Sequence, residues 1–272
     1  MHRCLLCLNE NSRSFMQHFY SIYKQTSVQS TNIMQIEATE PRASRAIEAI
    51  KSGNVDSLRQ TLADCPDLVK AHIMSAGDGR TLLHILADWP GNLPNNIATA
   101  QALIEVGCDV NARFIGHHTE TPLHWAASND DVALLDALLD AGADINADGG
   151  VIAETPLADA RAFLQLKCAH RLVERGAIVS INDAATLGLL ARVEGFFAQD
   201  PGVSDHDRNC ALWNACHGGQ LETAKFLLRR GAEINFIPDW EDMTPLDAAE
   251  RSKAEPLVTW LREQGAKQRV EV

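Results

Sequence analysis

Apolar positions recur along most of the chain at the spacing of a helix. In "VALLDALLDAGADIN", Val132, Leu135, Leu138 and Leu139 make one apolar stripe that leaves Asp131, Asp136 and Asp140 for water. Gly142 then supplies a stop, because glycine can take the left-handed conformation that closes a helix C-terminus at little steric cost. Just upstream, "TPLHWAAS" starts a shorter helix. Thr121 offers a side-chain oxygen to the free N–H groups of the first turn, and Pro122 suits the first helical position because it has no N–H to leave unpaired. The pattern predicts two antiparallel helices that share one apolar seam.

The same pair recurs. Thr155 in "AETPLADARAFLQLKCAHRLVERGAIV" stands 34 residues after Thr121, and Thr244 in "DMTPLDAAERSKAEPLVTWLREQGAK" stands 34 residues after Cys210, which lies in the worn copy "NCALWNACHGGQLETAKFLLRRGAEIN". "GRTLLHILADWPGN" adds a further copy at Thr81. Gly107, Gly176, Gly231 and Gly265 hold the place of Gly142. Two weaker units align Ala49-Ile50 and Gly53, and Ala184-Ala185 and Gly188, with helix one, and end in Pro turns at Cys65-Pro66 and Asp200-Pro201. One pair cannot bury its own apolar face, so stability must come from stacking neighbours.

A T-P-L-H…A-A start, a second amphipathic helix and then G-A-D-I-N, recurring at about 33 residues, resemble the ankyrin repeat family over about Ser44 to Lys267. The resemblance implies an all-α solenoid of about seven helix-turn-helix units with hairpin fingers between them. They fall near residues 44–79, 80–117, 118–151, 152–178, 179–205, 206–240 and 241–268, within a repeat region spanning 41–268. Two departures stand out. "PGNLPNN" lengthens the unit at Thr81 and should bulge as a loop. Only seven residues separate Gly176 from Ala184, too few for a finger, so the finger row is interrupted before the fifth unit and two sub-arrays, units one to four and five to seven, are expected. Residues 1–40 show no repeat and end Ser/Thr/Gln-rich, so they read as a partly disordered tail with Met34 as an alternative start, and 269–272 read as a C-terminal tail.

A net charge of −12 and a pI near 5.2 oppose binding to nucleic acid or anionic lipid, both of which need clustered Lys and Arg. No apolar run approaches the roughly 20 residues of a membrane span, and "MHRCLLCLNENSR" is too short in apolar residues for a signal peptide. A cytoplasmic address follows. Seven scattered cysteines read as reduced thiols that fill small core spaces.

Candidate chemistry is sparse. "HHTETPLHW" gathers His117, His118, Glu120 and His124, residue types that can bind zinc. In the family this chain resembles, however, the TPLH histidine is structural and ties neighbouring turns together, a role implied for His124 and His84. His117, His118 and Glu120 fall in the variable finger and are expected to be exposed recognition residues. Cys4-x-x-Cys7 beside His2 lacks the second pair a zinc site needs. Cys216 and His217 resemble a dyad, but Cys216 holds the small packing place of Ala127. Among the tryptophans, Trp125 and Trp213 read as core and Trp260, on the last helix, as packed under the cap, with Trp89 and Trp240 left as exposed anchors.

The resemblance thus implies a monomeric, non-enzymatic module that needs no cofactor or metal and presents a concave face and finger loops to a protein partner. Its contact residues would be Asp88, Trp89, His117, His118, Glu120, Ser128 and Asn129 in one cluster. Asp207, Arg208, Asn209, His217, Trp240, Glu241, Met243 and Arg251 would form the second. Acids mixed with aromatics and histidines favour a partner with a basic patch. The rival is a metal-dependent or thiol enzyme built on the same scaffold.

Overall fold

The computed structural model describes residues 33–152, 154–199 and 202–272, and these fall into two compact units divided between Ala177 and Ile178. The division lies where the sequence leaves no room for a finger. In the N-terminal unit a short strand β1 (Gln35–Glu37) precedes four helix pairs: α1 (Pro41–Ser52) with α2 (Val55–Asp64), α3 (Leu82–Ala87) with α4 (Asn96–Glu105), α5 (Pro122–Ser128) with α6 (Val132–Asp140), and α7 (Pro156–Ala162) with α8 (Leu166–Glu174). The C-terminal unit holds three pairs: α9 (Ile181–Thr186) with α10 (Leu190–Phe197), α11 (Asp205–His217) with α12 (Leu221–Arg229), and α13 (Pro245–Arg251) with α14 (Glu255–Glu263).

Within each unit the first helices stack on first helices, and small residues let them approach closely. Ala126 and Ala127 of α5, with Ala158 and Ala160 of α7, are fully or almost fully buried, as are Ala184, Ala185, Ala211, Ala215, Ala248 and Ala249 in the C-terminal unit. Second helices add larger groups behind them. Leu134, Leu135 and Leu138 of α6 are buried, whereas Val132 and Leu139 are half-buried. Asp131, expected in water, is also buried. It caps α6 through the Leu134 N–H (3.1 Å) and accepts the Asn92 N–H (2.8 Å). In α14, Leu257, Val258 and Leu261 face inward while Glu255, Arg262 and Glu263 stay exposed, the wet outer face that a terminal repeat needs.

The histidine of the repeated start ties one pair to the next. The Nε2–H of His84 donates to the Glu120 carbonyl (3.0 Å) and that of His124 to the Glu154 carbonyl (3.1 Å), and each Nδ1 accepts the N–H of its own capping threonine, Thr81 or Thr121. A carbonyl can only accept, so both rings carry the proton on Nε2. The C-terminal unit puts aspartate in that place: Asp183 and Asp247 accept the N–H of Ser180 and Thr244, and the Thr244 hydroxyl reaches the Lys267 carbonyl instead (2.8 Å).

β1 departs from the expected tail. It pairs in parallel with β2 (His72–Ser75), which pairs antiparallel with β3 (Asp78–Arg80), and Ile36 is buried at its centre. Three residues carry no readable period, and here tertiary packing decides the conformation.

Candidate partner-binding surface

The extra residues of the second repeat form a loop between α3 and α4. Side chains fasten it on both sides. Asn129 Nδ2–H donates to the Ala87 carbonyl (2.8 Å), Asp131 accepts the Asn92 N–H and the Asn96 amide (2.9 Å), and Asn95 Nδ2–H donates to the Gly53 carbonyl (3.0 Å). Asp88 pairs with Arg80 (3.0 Å) and accepts the Trp89 N–H (2.9 Å). Trp89 itself stays 41% exposed, a large ring held outward by a fixed backbone. Ser128 lies half-buried nearby and donates its hydroxyl to the His124 carbonyl (2.9 Å).

The neighbouring finger is residues 114–120. It is closed by the Phe114 N–H on the Glu120 carbonyl (2.8 Å) and joined to β3 by paired bonds between Gly79 and Ile115 (2.7 and 2.9 Å). Arg113 bonds the Thr119 carbonyl (3.2 Å) and pairs with Asp148 (2.8 Å). His117 is exposed and His118 half-buried, and burial, followed by the charge of His117, lowers the His118 pKa. Glu120 corrects the expectation of exposure, because the side chain turns inward and is 1% exposed. The following repeat closes this side, because its loop 149–152 is tied to the finger by the Thr119 N–H on the Gly149 carbonyl (3.1 Å) and to α7 by the Val151 N–H on Asp159 (3.0 Å).

Asp159 escaped sequence reasoning. It stands where Trp125 stands one repeat earlier and is fully buried. A Cβ added at Gly150 would lie 2.7 Å from both its carboxyl oxygens. The departure of "TPLADA" from TPLHWA, with Ala158 in the histidine place, was the available signal.

In the C-terminal unit three of the eight residues of the second cluster are buried. Trp213 is buried, donates Nε1–H to the Met243 carbonyl (3.0 Å) and stacks on His217 (5.3 Å between centroids). Trp240, expected as an exposed anchor, meets it edge-on at 6.1 Å and is half-buried. Arg251 lies over Trp213 (5.5 Å), pairs with Glu241 (3.0 Å) and reaches His217 Nδ1 (3.3 Å). His217 and Glu241 are therefore buried, and so is Asn209, whose Oδ1 accepts the Glu233 N–H (2.9 Å). These three also correct the expectation of exposed contacts: His217 and Glu241 are drawn in beside the aromatic pair, Asn209 by the Glu233 backbone, and each finds a partner there. Met243 is half-buried. Arg208 is half-buried against Asp205 (2.9 Å), and Asp207 is exposed and accepts the Ser204 hydroxyl (2.6 Å).

Among the described residues no three His, Cys, Asp or Glu side chains are grouped to hold a metal ion. Cys4 and Cys7 lie outside the described residues. Burial pushes the Cys216 thiol well above the usual range and the Cys108 thiol up to about 12, as suits packed thiols and not nucleophiles. No helix among the described residues is long and apolar enough to cross a membrane.

Comparison with known proteins identifies a family. The family model "Ankyrin repeats (3 copies)" matches residues 46–149, 95–183 and 181–271. Rabankyrin-5 of Mus musculus is 30% identical over 215 residues, covering 69% of this chain and 18% of its own length. Palmitoyltransferase AKR1 of Lachancea kluyveri is 30% identical over 168 residues, 56% of this chain and 22% of its own. The human ASB11 ankyrin repeat domain, a solved structure, covers 84% of this chain and 85% of its own at 23% identity and a TM-score of 0.48. The chain spans less than a quarter of the length of these two curated relatives.

Proposed function

Because the chain belongs to the ankyrin repeat family, we propose that it is a non-catalytic module that binds a cytoplasmic protein partner through Trp89 and the finger residues His117 and His118. The observation that carries this reading is Trp89, an aromatic ring 41% exposed on a loop pinned from both sides. A ring held in place loses little conformational freedom on binding, and tryptophan is enriched among the few residues that dominate interfaces. Asp88 and Asn129 hold the backbone around that ring. In the C-terminal unit, Asp207 and Arg208 remain as contacts, and the net charge of −12 favours a partner surface rich in Lys and Arg.

The test compares Trp89→Ala and His117→Ala/His118→Ala with wild type in thermal unfolding and in capture of proteins from a lysate. Trp89→Ala should unfold as wild type does, since exposed substitutions usually change stability by within about 0.5 kcal/mol, and both variants should lose captured protein. Capture of the same proteins at the same yield by both variants refutes the assignment.

A further inference from the structure

The carboxyl of Glu120 is unused by the surface proposed above. It lies where the finger 114–120, strand β3 and loop 149–152 meet, joined by the Phe114–Glu120, Gly79–Ile115 and Thr119–Gly149 backbone bonds. Its Oε2 has no hydrogen-bond partner among the described residues, and Glu120 makes no ion pair there. The surrounding charges offer no compensation. Asp78 of β3 and Asp159 of α7 are acids that act on it or feel it. Arg80 pairs with Asp88, Arg113 with Asp148 and Arg161 with Glu154 (3.3 Å). His84 bonds the Glu120 carbonyl and not its carboxyl, His124 bonds Glu154, and His72 bonds the Arg113 carbonyl (2.7 Å). A carboxylate buried without a counter-charge is strongly disfavoured, so the group keeps its proton.

We propose that Glu120 is a proton-operated latch: its neutral carboxyl seals the joint between residues 114–120 and 149–152, and loss of that proton to solvent loosens the finger together with His117 and His118. Burial, opposed by its own backbone N–H and reinforced by Asp78, pushes the Glu120 carboxyl up to about 8, so the latch works near neutral pH. Asp159 is raised well above the usual carboxylate range, first by burial and then by Glu120. The sign follows from linkage. A group whose closed-state pKa is raised favours the closed form most strongly below its open-state value, and that advantage is lost as pH rises through the closed-state value. The latch stands whether or not His117 and His118 touch a partner. Only its effect on binding rests on the function proposed above.

Amide hydrogen exchange of residues 114–121 in the full chain, followed from pH 5.5 to 9 and corrected for intrinsic base catalysis, reads the latch without any partner. Protection in wild type should fall more steeply with pH than in Glu120→Gln, by about tenfold per pH unit up to pH 8, the change expected for one titrating proton. The difference reads Glu120 together with its coupling to Asp159, because His84 and His124 contribute to both proteins. A carboxyl carbon shift of Glu120 that titrates near pH 8 is the second readout. Identical pH slopes in the two proteins, or a Glu120 midpoint below 6, overturn the proposal. If Glu120→Gln fails to fold, the wild-type midpoint alone decides it.

Discussion

Truncating His124 to alanine should cost about 2–4 kcal/mol. The ring is fully buried and joins two repeats: Nε2–H donates to the Glu154 carbonyl at 3.1 Å, and Nδ1 accepts the Thr121 N–H at 3.1 Å. Alanine removes both partners and fills neither place. A buried group left without its hydrogen bond costs about 1–3 kcal/mol, and two such groups, partly relaxed, give the range stated. The titration of the ring adds a second signature. Burial, ahead of the opposing bond to Glu154, lowers the His124 pKa from 6.5 to about 4. The unfolded chain therefore takes up the proton first, so the stabilisation is fully present above pH 6.5 and is lost as pH falls through 4. Wild type should lose stability on acidification by about 1.4 kcal/mol per pH unit more than His124→Ala within that window. Urea unfolding followed by circular dichroism at pH 7.5 and pH 5 measures both effects, with the exposed His170→Ala as a control. A loss below about 0.5 kcal/mol at pH 7.5, the range of an ordinary surface change, refutes the stapling role, and so does an unchanged pH slope.

Two further changes probe the C-terminal unit. Glu241→Ala strands the Arg251 guanidinium beneath Trp213, and removing one member of a buried ion pair typically costs about 3–5 kcal/mol. With side-chain exposures of 8% and 14% and a remaining contact to His217, about 2–4 kcal/mol is expected in urea unfolding, and a near-neutral variant defeats the reading of this pair as core. Lys253 sits in the left-handed region at φ 56 where the α13–α14 turn demands it, so Lys253→Gly should stabilise by about 1 kcal/mol. A lowered melting temperature contradicts that.

Legibility in the sequence followed the range of the interaction. Thr121, Pro122 and Gly142 act on their own turn or the next, so helix starts and stops could be read directly, and the missing finger before Ala184 marked the division between Ala177 and Ile178. Inward or outward orientation of a finger residue is set elsewhere. Glu120 turns in because loop 149–152, one repeat later, closes over it. His217 and Glu241 turn in because Trp213 and Trp240 meet edge-on. The exposure of Trp89 was readable, since its loop is an insertion with nothing in the repeat pattern to cover it. The helical stripe alone puts Asp131 in water, yet the inserted loop supplies the Asn92 and Asn96 donors that bury it.

That inserted loop has a consequence for how the array can be remodelled. Its donors and acceptors reach the turn before α2 on one side and the start of α6 on the other, so the insertion acts as a splint across three repeats. The fastening comes from backbone groups and from Asn95, Asn96, Asn129 and Asp131, none of which is the ring or the proline at its tip. The side chain at Trp89 can therefore be exchanged while the splint stays in place, which makes the tip a graft point where a new binding preference can be installed without reworking the repeats beneath it. The same fastening should make the loop a poor protease substrate, since cleavage needs a backbone that can be drawn out into an extended strand.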